Sequence, residues 1–147
     1  MRHKIKLFSI YSFLIFFTYQ NNRMESKHVI IKLKAIIHDD GKIILHLKDN
    51  EGHIHEKSIT SEVNPGSKIT WTLDKDSDII QIVDIYKKVG SPNIYSEKPH
   101  SIEGTTDWEA IVSNQAFEKA SYNVDFRYKD GVVYTDDPQV KVKPPTH

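Results

Sequence analysis

The chain contains no cysteine in 147 residues. That excludes disulfides, thiolate nucleophiles and cysteine-based zinc or copper sites in any compartment. Glycine and proline are sparse at six each. They stand as isolated turn markers, so neither a phosphate-binding glycine loop nor a proline-rich linker is present. Also absent are a Gly-x-Ser-x-Gly elbow, a His-Glu-x-x-His helix and any internal repeat. After residue 23 no window sustains a 3.6-residue apolar period. Ser, His and Asp residues occur, but no spacing among them selects a triad. The reading that follows is that the protein is not an enzyme and that no cofactor is implied.

Strand signals are plentiful. Val29, Ile31, Leu33, Ala35 and Ile37 alternate with Lys32 and Lys34. Asp39-Asp40-Gly41 supplies hairpin chemistry, and Ile43, Leu45 and Leu47 return opposite Ile44, His46 and Lys48. A short segment follows around Ile54 to Ile59. Ile69, Trp71 and Leu73 share a face that should be core, and Ile79 to Tyr86 forms the next strand. The connection from Lys87 to Thr106 holds Gly90, Pro92, Pro99 and Gly104 and reads as a long irregular loop. Trp108 to Val112 follows, then a single helical turn over Asn114 to Lys119. Tyr122, Val124, Phe126 and Tyr128 alternate, Lys129-Asp130-Gly131 turns into Val132 to Thr135, and Val140 and Val142 close the domain. About eight short strands separated by turns predict a single all-β antiparallel sandwich over residues 28–143, with a flexible tail at 144–147.

The N-terminal 23 residues stand apart. Arg2, His3, Lys4 and Lys6 precede an apolar stretch from Leu7 to Phe17. Eleven helical residues span about 16 Å, too short to cross a bilayer, so the segment reads as a signal peptide rather than an anchor. A secreted or periplasmic protein follows from that reading. Met24 offers the alternative: translation from there gives a cytoplasmic protein. Residues 1–23 hold four basic side chains and no acid, so the remainder carries 16 basic against 20 acidic residues, a net of −4. A mildly acidic domain is a poor partner for nucleic acid or anionic lipid. No stable membrane span is expected.

Two segments carry a family resemblance. One is Pro65-Gly66-Ser67-Lys68-Ile69-Thr70-Trp71. The other is Tyr122-Asn123-Val124-Asp125-Phe126, followed by a turn glycine and Val140-Lys141-Val142. Together they resemble the cupredoxins, although an immunoglobulin-like sandwich would give the same pattern. The resemblance implies a fold and carries no functional residue. Phe126 falls about where the copper cysteine of the family would sit. The region of the first histidine ligand reads Ser77-Asp78-Ile79-Ile80, and no histidine lies between residues 101 and 146. The type 1 copper ligands are therefore missing, and no copper redox centre is expected.

Three further groups are candidates for chemistry. His53 and His55 place two imidazoles on one face of an extended segment, with His46 on a neighbouring strand. Such a set can share a divalent metal if Glu51 or Glu56 converges; the competing reading is a solvated polar face. Asp74-x-Asp76-x-Asp78 imitates a calcium loop, but Ile79 and Ile85 stand where glycine and glutamate are needed, so a charged turn is expected. Asp136-Asp137-Pro138 reads as a bulge or edge-strand bend. Among the aromatics, Trp108, Tyr95 and Tyr134, together with Tyr86, could form a platform for sugar rings or a protein partner, against the competing reading of core and edge packing. Two functions remain open: a non-catalytic interaction module for an unknown protein or carbohydrate, or a small histidine-based metal binder.

Overall fold

The computed structural model describes residues 27–52, 54–55, 60–114 and 119–143. The described residues form eleven strands and no helix. In chain order these are β1 (His28–Ile37), β2 (Ile43–Asp49), β3 (Ile54–His55), β4 (Thr60–Val63), β5 (Lys68–Leu73), β6 (Ile79–Lys87), β7 (Tyr95–Ser101), β8 (Trp108–Val112), β9 (Lys119–Tyr128), β10 (Val133–Asp136) and β11 (Gln139–Val142). Sheet I has the order β3-β2-β1-β5-β8-β7. Sheet II has the order β10-β9-β11-β4, with β6 on the other side of β9. The expected all-β sandwich is present.

Alternation builds the core as the sequence suggests. Val29, Ile31, Leu33 and Ala35 of β1 are buried, as are Leu45 and Leu47 of β2 and Ala120, Tyr122, Val124, Phe126 and Tyr128 of β9. Inward residues of two facing sheets interdigitate, and the outward ones stay polar. Trp71 is fully buried, its ring edge-on to Tyr122 at 5.5 Å and its Nε1 donating to the Tyr122 hydroxyl at 3.1 Å.

The Pro65-Gly66 turn is fixed by backbone chemistry. Ser67 N donates to Asn64 O at 3.1 Å, and Gly66 has φ of 77°. Proline followed by a positive-φ residue is the requirement of a type II turn. Gly66 N also donates to Val112 O, and a Cβ there would lie 2.5 Å from the Asn114 Oδ1. The turn thus starts β5 and ties it to β8.

Several expectations are corrected. The sheets are mixed rather than purely antiparallel: β1 runs parallel to β5, with Ile31 beside Trp71, and β11 runs parallel to β4. Eleven strands replace about eight. The stretch from Lys87 to Thr106 is not wholly irregular, because it contains β7. Tyr95-Ser96-Glu97-Lys98-Pro99-His100-Ser101 has no apolar alternation to announce a strand. Among the described residues it is an edge strand paired only with β8, where a proline without an N–H is tolerated. Thr60–Val63, unmarked in the sequence, pairs as β4. At Asp137 and Pro138 the strand bends without a bulge. Asp136 is opposite Val124 and Gln139 opposite Ser121, so the register against β9 continues unchanged across the break. The Asp74–Asp78 segment is a turn, closed by Ser77 N donating to Asp74 O. The proposed signal segment, residues 115–118 of the helical turn expected over Asn114 to Lys119, and the tail at 144–147 lie outside the described residues; of the two ends of that turn, Asn114 is in a turn and Lys119 opens β9.

Candidate functional site

The two sheets leave one long side of the sandwich open. β6 is the free edge of sheet II and β7 the free edge of sheet I, and they lie side by side without a ladder between them. Two clefts occupy this seam. One, of about 480 Å³, is lined by Asp84, Tyr86, Lys87, Asn93, Tyr95 and Pro99 among others. The second, of about 360 Å³, is lined by Gln81, Val83, Ser101, Ile102, Thr105 and Trp108 among others.

β6 shapes the seam through two irregularities. Ile79 is opposite Tyr128 but Gln81 is opposite Arg127, so Ile80 is extra. Ile82 is opposite Phe126 but Asp84 is opposite Asp125, so Val83 is extra. Each inserted residue is a β-bulge, and it resets the alternation. Ile79, Ile82 and Ile85 are therefore the buried set, spaced by three rather than two. Ile80, Val83 and Tyr86 are left exposed, Ile80 at 54%. The Tyr86 hydroxyl donates to Asp125 Oδ1 at 3.2 Å, which fixes the ring on the outer face. Bulges also blunt a strand edge against pairing with another strand.

β7 is held to β8 by side chains as well as by its ladder, which shifts register at two places. His100 Nδ1 lies 2.7 Å from Lys98 O, and its Nε2 lies 3.2 Å from Glu109 Oε1. Glu109 Oε2 in turn is 2.9 Å from Lys68 Nζ. Both ring nitrogens can donate only when the imidazole is protonated. The Lys98 carbonyl, and then Glu109, accordingly raise the His100 pKa. The Lys68 ammonium, and then His100, hold Glu109 below the usual carboxylate range. A raised histidine pKa stabilises the fold fully below its unfolded value, and that contribution is lost as pH rises through the folded value. We therefore expect β7 amides to be better protected from hydrogen exchange at about pH 6 than at about pH 8, after correction for intrinsic rates. In His100→Gln the difference should vanish. Equal protection at both pH values in the unmodified protein would contradict the clip.

The aromatic candidates separate. Tyr95 and Trp108 both line the seam, in different clefts. Tyr95 is only 8% exposed, and its hydroxyl is buried without a hydrogen-bond partner among the described residues. Burial, with Tyr122 nearby, pushes its phenol pKa up. Trp108 is half-buried and packs against the core. Tyr134 lies elsewhere, on β10, its ring centroid 6.0 Å from Phe126 and 6.2 Å from Tyr128. Its hydroxyl donates to Asp130 Oδ2 at 2.6 Å. The three rings are not brought together. Phe126 is fully buried.

The histidine candidates are equally dispersed where they are described. His46 faces outward on β2, opposite Lys34. His55 stands in β3 opposite Leu47, and His53 lies outside the described residues. Among the described residues no group of three or more His, Asp or Glu is placed to hold a metal ion. No described helix is long and apolar enough to cross a membrane.

Sequence reasoning found Trp108, Tyr95 and Tyr86 but missed Ile80 and Val83. The signal for them was the three-residue spacing of Ile79, Ile82 and Ile85. The chain matches no protein-family model, and a search of the curated proteins finds no significant similarity.

Proposed function

We propose that this protein is a non-catalytic interaction module that uses the β6–β7 seam to hold a protein partner. The observation that carries the reading is the exposed apolar row of Ile80, Val83 and Tyr86 along a free strand edge, beside two clefts. Exposed apolar surface of this kind, rimmed by Asp84, Lys87 and Lys98, suits a protein interface. A protein fits better than a sugar, because stacking on a sugar needs a free ring face and Tyr95 and Trp108 have most of theirs packed. The non-catalytic part of the reading is supported by the titratable groups. Tyr95 and Tyr122 are raised foremost by burial, and His100 and Glu109 are shifted by a surface clip. No nucleic acid partner is proposed.

On fold family, the cupredoxin-like alternative is favoured. Two parallel pairs, β1 with β5 and β4 with β11, depart from the constant-type immunoglobulin sandwich, whose sheets are antiparallel. The setting proposed is secreted or periplasmic, on the strength of Arg2 to Phe17; a start at Met24 would move it to the cytoplasm.

Site-directed photo-crosslinking in the source cells tests the seam. A photoreactive residue at Val83 should give a discrete protein adduct. The same residue at Lys141, exposed on β11, should not. Adducts at Lys141 and none at Val83 would contradict the proposal.

A further inference from the structure

Across β1 and β2 the register sets Lys32 opposite Lys48 and Lys34 opposite His46. The residues between them, Leu33, Ala35, Leu45 and Leu47, are buried, so these four side chains share the outer face of sheet I. Like charges directly opposite each other destabilise a sheet. None of the four has an ion-pair or hydrogen-bond partner among the described residues. Six other lysines, Lys27, Lys42, Lys68, Lys88, Lys129 and Lys143, each meet an acid, whereas Lys119 and Lys141, opposite each other on sheet II, are a second pair without one among the described residues. Much of the domain's negative charge lies in turns. Turns collect Asp39, Asp40, Asp74, Asp76 and Asp78, while this face keeps uncompensated cations.

Isoleucines border the cations. Ile54 is opposite Lys48 and is 53% exposed. Ile36 is opposite Ile44, both half-buried, one step beyond Lys34 and His46. Neighbouring strands lie roughly 4.8 Å apart and same-face residues roughly 6.8 Å apart, so the three lysines and His46 fill a compact, flat square.

We propose that this face docks on an anionic lipid surface. The lysines would sit among the headgroups, with Ile54, Ile36 and Ile44 against the boundary of the acyl layer. The face includes no arginine and no Phe, Tyr or Trp among the described residues, the groups that grip phosphate in pairs or offer broad stacking platforms for bases, which sets it apart from a nucleic-acid surface. A soluble polyanion would leave the isoleucines unused. The proposal is independent of the seam, which lies at the opposite edge of sheet I.

The test is co-sedimentation of the full chain with vesicles of phosphatidylcholine alone or mixed with phosphatidylglycerol. Binding should require phosphatidylglycerol and weaken with added salt. Lys32→Glu/Lys34→Glu is the informative variant, because it turns the Lys32–Lys48 like-charge pair into an opposite-charge pair and so preserves the sheet. Its affinity for the mixed vesicles should fall by about tenfold or more. Lys119→Glu/Lys141→Glu, on sheet II, should bind as the unmodified chain does. All three chains carry the same N-terminal segment, so the differences report on the face. Equal binding by the Lys32/Lys34 variant would overturn the proposal. So would binding of soluble heparin or duplex DNA through these lysines with no binding to the mixed vesicles.

Discussion

Trp71→Ala should cost about 3–5 kcal/mol. Trp71 is fully buried, touches the edge of Tyr122 and donates to its hydroxyl. It also sits where three strands meet, opposite Ile31 on one side and Trp108 on the other. Truncation leaves a cavity between the sheets and removes the donor to a buried phenol. Small domains are stable by about 5–15 kcal/mol, so the variant would be marginal or unfolded at room temperature. Trp71→Phe restores most of the volume and should lose less, with about 1 kcal/mol of that from the missing hydrogen bond. Urea denaturation measures both. A Trp71→Ala loss below about 1 kcal/mol, the level of a surface change, would contradict this placement of the ring.

Asp136→Ala should cost about 1.5–3 kcal/mol. Among the described residues β3 covers the outer edge of β2 at Leu47 and Lys48. Further along, Leu45 N donates to Asp136 Oδ2 at 2.9 Å, so a carboxylate on sheet II completes the edge of sheet I. Leu45 is buried, and without that acceptor its N–H loses its partner on sheet II. The second oxygen, Oδ1, accepts from Asp137 N at 2.9 Å and sets the bend before Pro138. Asp136→Asn keeps an acceptor and should recover much of the loss. Denaturation, together with the exchange rate of the Leu45 amide, checks it. An Ala variant within about 0.5 kcal/mol of the unmodified protein would show that the bridge between the sheets carries no weight.

The parts of this fold that were legible in the sequence are those set by local alternation. β1, β2, β5 and β9 show their buried faces in the residue order itself, and Trp71 is core on that ground alone. The turn at Pro65-Gly66 was legible because only glycine takes its positive φ without strain. What was hidden depends on contacts distant in sequence. The parallel pairing of Ile31 with Trp71 joins residues forty apart, and nothing local distinguishes it from antiparallel pairing. β7 has polar side chains and a proline because its free edge makes few demands on it. The bulges of β6 were written in the spacing of Ile79, Ile82 and Ile85, but as a period of three that belongs neither to a regular strand nor to a helix. Outward lysines on β1 and β2 were visible strand by strand. Their placement directly opposite one another needed the hairpin register.

The open seam between β6 and β7 is the central structural claim, since the proposed partner surface exists only if the two edges stay unpaired. Nuclear Overhauser contacts between backbone protons test it most directly. The account predicts contacts of a parallel ladder between β1 and β5, centred on Ile31 and Trp71, antiparallel contacts between β6 and β9, and no regular backbone ladder between β6 and β7. A continuous β6–β7 ladder would join the two sheets along this side, remove both clefts and contradict the account.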